Sequence, residues 1–133
     1  MKVMVVGENG RPHELAAALE TEGVDVGRPP EGALPAAPAD EVGQIARGLI
    51  AFEKLFAEDA PDAVLLVSAS NLALAAVLAA TKAQIPVAGL EQGAHGQDSL
   101  SELNRRLIDL LADVRVADDA GTIATSLRDL VAV

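Results

Sequence analysis

Residues 61–90, PDAVLLVSASNLALAAVLAATKAQIPVAGL, hold the pattern that decides the fold. Residues 63–67 are rich in strand formers, and residues 68–71 read as a polar turn. Residues 71–83 form an Ala- and Leu-rich helical pattern, and residues 86–90 are a second apolar run of strand length. Two buried strands joined through a helix form a βαβ unit, which predicts a parallel sheet.

A membrane-spanning helix is the competing interpretation of this segment. No charged residue occurs from Ala63 to Thr81, which is nearly the length of a membrane span. Ser68, Ser70 and Asn71 lie in the middle of the stretch, where lipid would leave their polar groups unsatisfied. The apolar run at the N-terminus ends at Val6, so it is too short for a secretory signal. We therefore expect a cytoplasmic protein without a membrane partner.

The N-terminal half repeats the alternation of strand and helix. Strand patterns occupy residues 2–6 and 24–26, and a helix begins at Pro12 between them. Residues 27–38 contain four of the seven prolines and predict an irregular loop. Asp40 then caps a long helix, whose apolar residues recur at steps of three and four: Val42, Ile45, Leu49, Phe52 and Phe56.

The C-terminal part completes the pattern with a helix over residues 99–112, a strand over residues 114–117 and a last helix. The spacing predicts that the first of these helices carries its leucines on one side, at Leu103, Leu107, Leu110 and Leu111. The last helix is predicted to direct its apolar residues inward, at Ile123, Leu127, Leu130 and Val131. Five strands alternating with five helices predict one α/β domain over residues 1–133. We expect a three-layer sandwich with a five-stranded parallel, Rossmann- or flavodoxin-like sheet of order 2-1-3-4-5.

The amino-acid composition argues against several classes of function. The chain has 133 residues and a net charge of −10, from 20 acidic and 10 basic residues, so nucleic acids and anionic membranes would be repelled. Cysteine is absent, which excludes disulfides and thiol catalysis. The only aromatic residues are Phe52 and Phe56, which disfavours a flavin site. His13 and His95 are the only histidines and are far apart, so we expect no metal and no cofactor.

Ligands of such sheets bind at the carboxyl ends of the strands, which predicts that residues 7–11, 68–71 and 91–98 converge. In the first loop, Gly7, Gly10, Arg11 and the following helix N-terminus suit a diphosphate. A tight turn that requires a positive φ explains the glycines equally well. In the second loop Ser68 and Ser70 offer hydroxyl groups, but helix capping by Ser70 or Asn71 is the favoured interpretation.

The third loop contains Glu91, Gly93 and His95. Glu91 directly follows an apolar strand, where a carboxylate is costly without a function or a partner. His95 lies between Gly93 and Gly96 and is more typical of a solvated loop. Glu102 completes a capping box that begins at Ser99, which explains its position without catalysis. Asp109, three residues after Arg106, is spaced to pair with it along the helix.

Several short motifs along the chain match the pattern of a known family: Gly10-Arg11-Pro12, Pro61-Asp62, Ile85-Pro86-Val87-Ala88, Glu91, Gly93, Glu102, Asn104-Arg105-Arg106 and Ala112-Asp113. In these motifs the sequence resembles the non-hydrolysing UDP-N-acetylglucosamine 2-epimerases. The resemblance implies two Rossmann-like domains with a nucleotide sugar between them. It also implies acid/base roles for Glu91 and Glu102, which match two of the family's carboxylates. The substrate-binding positions it implies are Gly10, Arg11, Ser68, Ser70, Asn71, Gly93, His95 and Arg105.

The sequence also departs from the family pattern. Ala69 stands where the family has an acidic residue, and Gly89 where it has a histidine. The resemblance covers only the first of the family's two domains. We therefore expect weak UDP-sugar binding, with C2 epimerisation only together with a separate second-domain chain. The alternative is a catalytically degenerate interaction, dimerisation or regulatory module, including a trimmed or designed domain. We further expect a homodimer through the helix of residues 71–83, because that helix is apolar all round.

Overall fold

A computed structural model describes residues 1–7, 11–35, 40–91 and 99–132. Strands and helices alternate along the described chain, as the sequence predicts. The elements are β1 (Lys2–Val6), α1 (Arg11–Thr21), β2 (Asp25–Gly27), α2 (Glu41–Asp59), β3 (Ala63–Leu66), α3 (Asn71–Lys82), β4 (Val87–Leu90), α4 (Ser99–Leu111), β5 (Val114–Val116) and α5 (Ala120–Ala132).

The five strands form one parallel sheet in the order β2-β1-β3-β4-β5, which confirms the predicted topology. β3 lies at the centre: Leu65 is in register with Val5 of β1 on one side and with Ala88 of β4 on the other. All four residues of β3 and all four of β4 are buried, as expected for strands covered on both faces. β2 is shifted by one residue from its prediction and forms a sheet edge.

Helices cover both faces of the sheet. We call α2, α3 and α4 the three-helix layer. Phe52, Val77 and Ile108 of this layer pack on one face of the sheet, against side chains that include Met4 and Val64. We call α1 and α5 the two-helix layer, which packs on the opposite strand face. Its buried apolar residues include Leu15, Leu19, Ile123 and Leu127. The alternation of side chains along each strand therefore supplies two separate cores.

Helix ends follow the sequence signals. Asp40 caps α2 by accepting a hydrogen bond from the Gly43 N–H, as predicted. At the other end, Ala60 adopts a left-handed conformation with φ of 46° and stops the helix before Pro61. Glycine at position 23 has φ of 85°, a value that glycine adopts without strain, and α1 ends two residues earlier.

The structure removes the reason for placing a dimer contact on α3. This helix lies in the middle of its layer, and its buried residues contact α2, α4 and the sheet of the same chain. α2 approaches closely at Gly48, where a Cβ would lie 2.9 Å from the Ala75 Cβ. An all-apolar helix therefore needs no second chain to be buried here. Among the described helices, none has both the length and the apolar character that crossing a membrane requires.

Most leucines of α4 face solvent, whereas the sequence pattern predicts that they face the core. Its buried residues are Asn104 and Ile108, and Leu111 is partly buried against the same core. Four leucines face solvent instead, with exposed fractions of 51%, 50%, 36% and 80%; we call Leu100, Leu103, Leu107 and Leu110 the leucine stripe. On α2, Val42 and Ile50 are also exposed, so the first residue of the predicted apolar repeat lies outside the core.

Candidate functional site

The carboxyl ends of β1, β3 and β4 meet at one edge of the sheet, because these strands are parallel neighbours. Gly7, Ser68 and Glu91 follow these three ends, and the backbone of α1 begins at Arg11 on the same edge. The predicted convergence is thus confirmed for the described parts of the three loops. Gly10, Gly93 and His95 lie outside the described residues, and so does the side chain of Arg11.

Gly7 owes its identity to the close approach of the Val67 side chain. A Cβ built at this position would lie 2.1 Å from the Val67 Cγ2, far inside van der Waals contact. Its φ is not in the left-handed region, unlike that of Gly23 or Gly32. The positive-φ explanation is therefore wrong for Gly7, and steric exclusion by the Val67 side chain explains this glycine instead.

A small crevice of about 110 Å³ opens between this backbone and the loop after β3. Gly7, Arg28 and Ser70 contribute to its wall, with apolar support from Leu34 and Leu72. The crevice lies between β1 and β3, where the strand order reverses, which is the usual ligand position in open α/β sheets. Arg28 therefore brings an exposed guanidinium to this edge of the sheet.

The loop after β3 is held by hydrogen bonds to its own helix and to α2. The Ser70 side chain accepts a 3.1 Å hydrogen bond from the Ala73 N–H, so the predicted capping of α3 by Ser70 is confirmed. Its hydroxyl also lies 3.3 Å from that of Ser68. The Asn71 amide donates to Glu41 Oε2 at 2.5 Å and to Gln44 Oε1 at 3.0 Å. Ser70 and Asn71 thus fix the shape of this loop.

Asn104 extends this network to α4. It is the buried polar residue of the described chain, only 7% exposed. Its Nδ2 donates to Asn71 Oδ1 at 2.9 Å and to the Ala69 carbonyl at 3.3 Å. We call Gln44, Asn71 and Asn104 the amide chain; it connects all three helices of the three-helix layer. A buried amide with both partners in place is rigid, because breaking either bond leaves an unsatisfied group.

Glu102 and Arg105 form an ion pair one turn apart on α4. Arg105 Nε donates to Glu102 Oε2 at 3.2 Å, and a second contact joins Arg105 Nη2 to Glu102 Oε1. This hydrogen bond, opposed by partial burial and supported by the charges of Glu102 and Asp109, raises the pKa of Arg105 above its ordinary value. Arg105 remains cationic and is engaged by two carboxylates, so it binds an anionic ligand only by exchanging one of them.

Asp109 contacts Arg105 Nη1 at 3.6 Å and Arg115 Nε at 3.3 Å. The sequence predicts Arg106 as its partner, which is wrong because α4 turns Asp109 toward β5 and Arg105. The predicted capping box depends on residues at the edge of the described range and stays a prediction.

Glu91 is exposed at the end of β4, and its backbone N–H donates to the Val116 carbonyl at 2.7 Å. The desolvation cost expected from the apolar strand does not arise, because the strand ends before the carboxylate. The hydrogen bond to β5 nevertheless fixes the backbone from which this carboxylate projects. Glu91 is therefore a solvated acidic group at a defined place on the carboxyl edge.

Comparison with known proteins identifies the family. A family model described as UDP-N-acetylglucosamine 2-epimerase matches residues 2–127, almost the entire chain. The chain belongs to the UDP-N-acetylglucosamine 2-epimerase family. Family membership agrees with the resemblance carried by Glu91, Glu102 and the Asn104-Arg105-Arg106 triplet. A comparison with curated proteins finds no match.

Solved structures of epimerases share the fold. The Methanocaldococcus jannaschii UDP-GlcNAc 2-epimerase in complex with UDP-GlcNAc and UDP is 24% identical, with a TM-score of 0.73 over 97% of this chain. The S. aureus MnaA–UDP structure is 23% identical, with a TM-score of 0.69 over 94%. The MurG structure from Acinetobacter baumannii is 20% identical, with a TM-score of 0.65 over 91%. The chain spans only 43%, 40% and 41% of these three proteins.

Proposed function

We propose that this chain is a nucleotide-sugar-binding domain that takes UDP-N-acetylglucosamine or a close UDP-sugar at the carboxyl edge of its sheet. The observation that carries the proposal is the crevice lined by Gly7, Arg28 and Ser70 at the carboxyl edge, between β1 and β3. Family membership and the UDP complexes of similar proteins support the choice of ligand. We assign the protein to the cytoplasm as part of the same proposal.

The diphosphate is the part of the ligand that this edge suits. The first turn of α1 offers N–H groups without helical partners, which carry partial positive charge. Arg28, with Arg11 from the sequence pattern, supplies cationic charge in a chain whose net charge is −10. That net charge repels an anion at long range, so we expect weak binding, with a Kd of about 1 mM.

Catalysis at C2 of the sugar needs a base for the unactivated proton and a group that stabilises the departing diphosphate. Glu91 is the better of the two implied carboxylates for proton transfer, because Glu102 is held in its ion pair with Arg105. The chain spans less than half the length of the similar epimerases, so the activity of the whole protein is part of this proposal. We expect epimerisation only when a second-domain chain is added.

A titration followed by NMR tests the binding proposal. UDP-GlcNAc should shift the amide resonances of Gly7, Ser70 and their neighbours, and ADP should shift them less. Arg28→Ala should weaken binding about tenfold through loss of a charged contact, a difference of about 1.4 kcal/mol. Arg47→Ala is the control, because Arg47 is exposed on α2 outside the crevice. Equal affinities for UDP-GlcNAc in all variants would contradict the proposed site.

A second experiment separates binding from chemistry. Deuterium exchange at C2 of UDP-GlcNAc in deuterated water reports proton abstraction even when no product accumulates. We expect no incorporation by the chain alone and incorporation after a second-domain chain is supplied. Glu91→Gln should abolish that incorporation, and Glu20→Gln on α1 should leave it unchanged. If deuterium incorporation survives Glu91→Gln but not Glu102→Gln, then Glu102 rather than Glu91 transfers the proton.

A second candidate function is an interaction module without catalysis. Its support is Ala69, which has no titratable side chain and whose carbonyl is bound by Asn104. The exposed leucines of α4 also favour it. Under this alternative UDP-GlcNAc shifts no resonances at the carboxyl edge and the added chain restores no deuterium incorporation.

A further inference from the structure

Asn104 lies too deep in the domain to touch a ligand at the carboxyl edge, since it is only 7% exposed. Its Nδ2 donates to Asn71 Oδ1 and to the Ala69 carbonyl, so both amide hydrogens go to the loop after β3. That loop contributes Ser70 to the wall of the crevice. We propose that Asn104 is a positioning residue for the nucleotide sugar, which holds residues 68–71 in the binding conformation. This inference rests on the proposed function.

Asn71 transmits these contacts to α2. Its Nδ2 donates to Glu41 Oε2 and, at 3.0 Å, to Gln44 Oε1, which uses both amide hydrogens. Its Oδ1 accepts the hydrogen bond from Asn104. A ligand that took either amide hydrogen of Asn71 would have to break one of these bonds. We therefore place Asn71 with Asn104 among the positioning residues, rather than among the groups that touch the ligand.

A carboxylate fixes the direction of the amide chain. As a carboxylate, Glu41 only accepts hydrogen bonds, so Asn71 turns its Nδ2 toward α2 and its Oδ1 toward α4. Asn104 must then present its own Nδ2, because the Asn71 oxygen and the Ala69 carbonyl are both acceptors. Neither amide can turn over without bringing two acceptors face to face. The chain of hydrogen bonds thus runs one way, from α4 through the loop to α2.

Preorganisation of the loop is the physical reason why this chain matters for affinity. A loop that the ligand must order costs binding free energy, whereas a loop that is already held does not. Ser70 caps α3, and its hydroxyl lies 3.3 Å from that of Ser68. Ser70 also lies between Ala69 and Asn71, the two residues that Asn104 holds. Loss of Asn104 therefore loosens the wall of the crevice from behind and removes no group that faces the ligand.

Titration with UDP-GlcNAc, followed by amide NMR, tests the proposal. Asn104→Ala should weaken binding about fivefold, because the ligand must then order the loop. Ile123→Val is the control, because Ile123 is buried in the other core, on the opposite face of the sheet, where truncation also lowers stability. Circular dichroism and the urea midpoint check that each variant is folded. Unchanged affinity in Asn104→Ala overturns the proposal, and so does an equal loss in Ile123→Val.

A reversal of the amide chain tests its direction, which a general loss of stability would not reproduce. Asn104→Asp places acceptors against Asn71 Oδ1 and the Ala69 carbonyl, and should weaken binding about tenfold. Glu41→Gln supplies a donor on α2, so in the double variant Asn71 can turn over and donate to position 104. The double variant should therefore recover part of the affinity, measured against Glu41→Gln alone. A double variant without recovery overturns the proposal.

The same titrations distinguish this inference from the proposed function. If UDP-GlcNAc shifts no resonance of the wild type at the carboxyl edge, both are wrong. If Arg28→Ala weakens binding and Asn104→Ala does not, the proposed function stands and this inference is wrong. Hydrogen exchange gives an independent measurement. UDP-GlcNAc should slow amide exchange at residues 68–71 by a larger factor in Asn104→Ala than in the wild type, because the ligand then orders a looser loop. Equal factors overturn the proposal.

Discussion

The two helix layers bury apolar residues equally well but present different outer surfaces. In the two-helix layer, Leu19, Ile123 and Leu127 are fully buried, while Thr125 and Arg128 face solvent. In the three-helix layer, Phe52 is as deeply buried, yet the outer surface carries the leucine stripe and two exposed residues of α2. Among the described residues, the large exposed hydrophobic side chains all belong to α2 and α4. The three-helix layer therefore exposes large apolar side chains, which the described part of the two-helix layer does not.

The same asymmetry appears in the polar groups. The amide chain crosses the three-helix layer and ends at the Ala69 carbonyl on the carboxyl edge. The side-chain hydrogen bonds described for the two-helix layer are exposed instead, such as Thr125 Oγ1 to the Gly121 carbonyl and Arg128 Nη2 to the Glu22 carbonyl. The fold thus connects the proposed ligand edge to α4 and α2 through a single layer. The following predictions test how far the two layers differ.

Truncation of the largest core side chains should give the largest effect, and it should be similar in both layers. Phe52→Ala and Leu127→Ala each remove a fully buried side chain. We expect a loss of about 3–5 kcal/mol for the first and about 2–5 kcal/mol for the second, from transfer and cavity costs. Urea denaturation measures both. A loss confined to one layer would show that the other core contributes little to stability.

Asn104→Ala should have the next largest effect. It leaves Asn71 Oδ1 and the Ala69 carbonyl without their donor in a buried place, at a cost of about 1–3 kcal/mol. Amide exchange at residues 68–71 should accelerate as well, because the loop loses its connection to α4. Thr125→Ala removes an exposed bond in the other layer and should change the free energy of unfolding by less than about 0.5 kcal/mol. Equal effects would contradict the distinction between the layers.

The sheet order and most helix caps could be predicted because they depend on local signals. Strand and helix periods differ, and residues such as Asp40 and Ser70 mark helix starts wherever the chain lies. The exposed side of α4 could not be predicted, since periodicity reveals an apolar side but not which neighbour covers it. Asn104 and Ile108 occupy the inner positions and so turn Leu103 and Leu107 outward.

The candidate site was only partly predictable for a related reason. The rule on strand ends locates Gly7, Ser68 and Glu91 without any knowledge of tertiary contacts. Arg28 escaped notice because it belongs to a proline-rich loop with no regular pattern, and only tertiary structure brings that loop to the crevice. The family resemblance implies a substrate-binding role for Arg105, whereas the carboxylates of Glu102 and Asp109 on α4 decide its availability.

A smaller effect should come from Lys2, which ties β1 to the end of α2. Lys2 Nζ lies 2.7 Å from Asp59 Oδ1 and 3.1 Å from the Asp59 carbonyl. The hydrogen bond to Asp59 raises the pKa of Lys2, so the pair stabilises the fold below pH about 10.4 and is lost as the pH rises through the higher folded value. Lys2→Met should lower Tm slightly at pH 8. The difference from the wild type should shrink at pH 11, and a constant difference would argue against the ion pair.

The smallest effect should come from the α5 end of the two-helix layer. Asp119 Oδ2 accepts 2.8 Å hydrogen bonds from the Thr122 N–H and the Thr122 hydroxyl. These bonds, the backbone one first, lower the pKa of Asp119. Its stabilising effect is therefore present above pH about 3.9 and is lost as the pH falls through the lower folded value. Asp119→Ala should reduce Tm by a few degrees at most at pH 7, with no difference at pH 2.

The position of β1 in the sheet has a consequence for biosynthesis. The Asp62 N–H donates to the Lys2 carbonyl, and the Lys2 N–H donates to Asp62 Oδ2, so the first strand is fixed by contacts 60 residues later. A nascent chain that has produced only β1, α1 and β2 has an edge pair with no central strand to bury it. Such distant parallel pairing slows folding. The strand β1 therefore gains its central neighbour only after β3 has been synthesised, and Val3 to Val6 can be buried between two strands only from that point on.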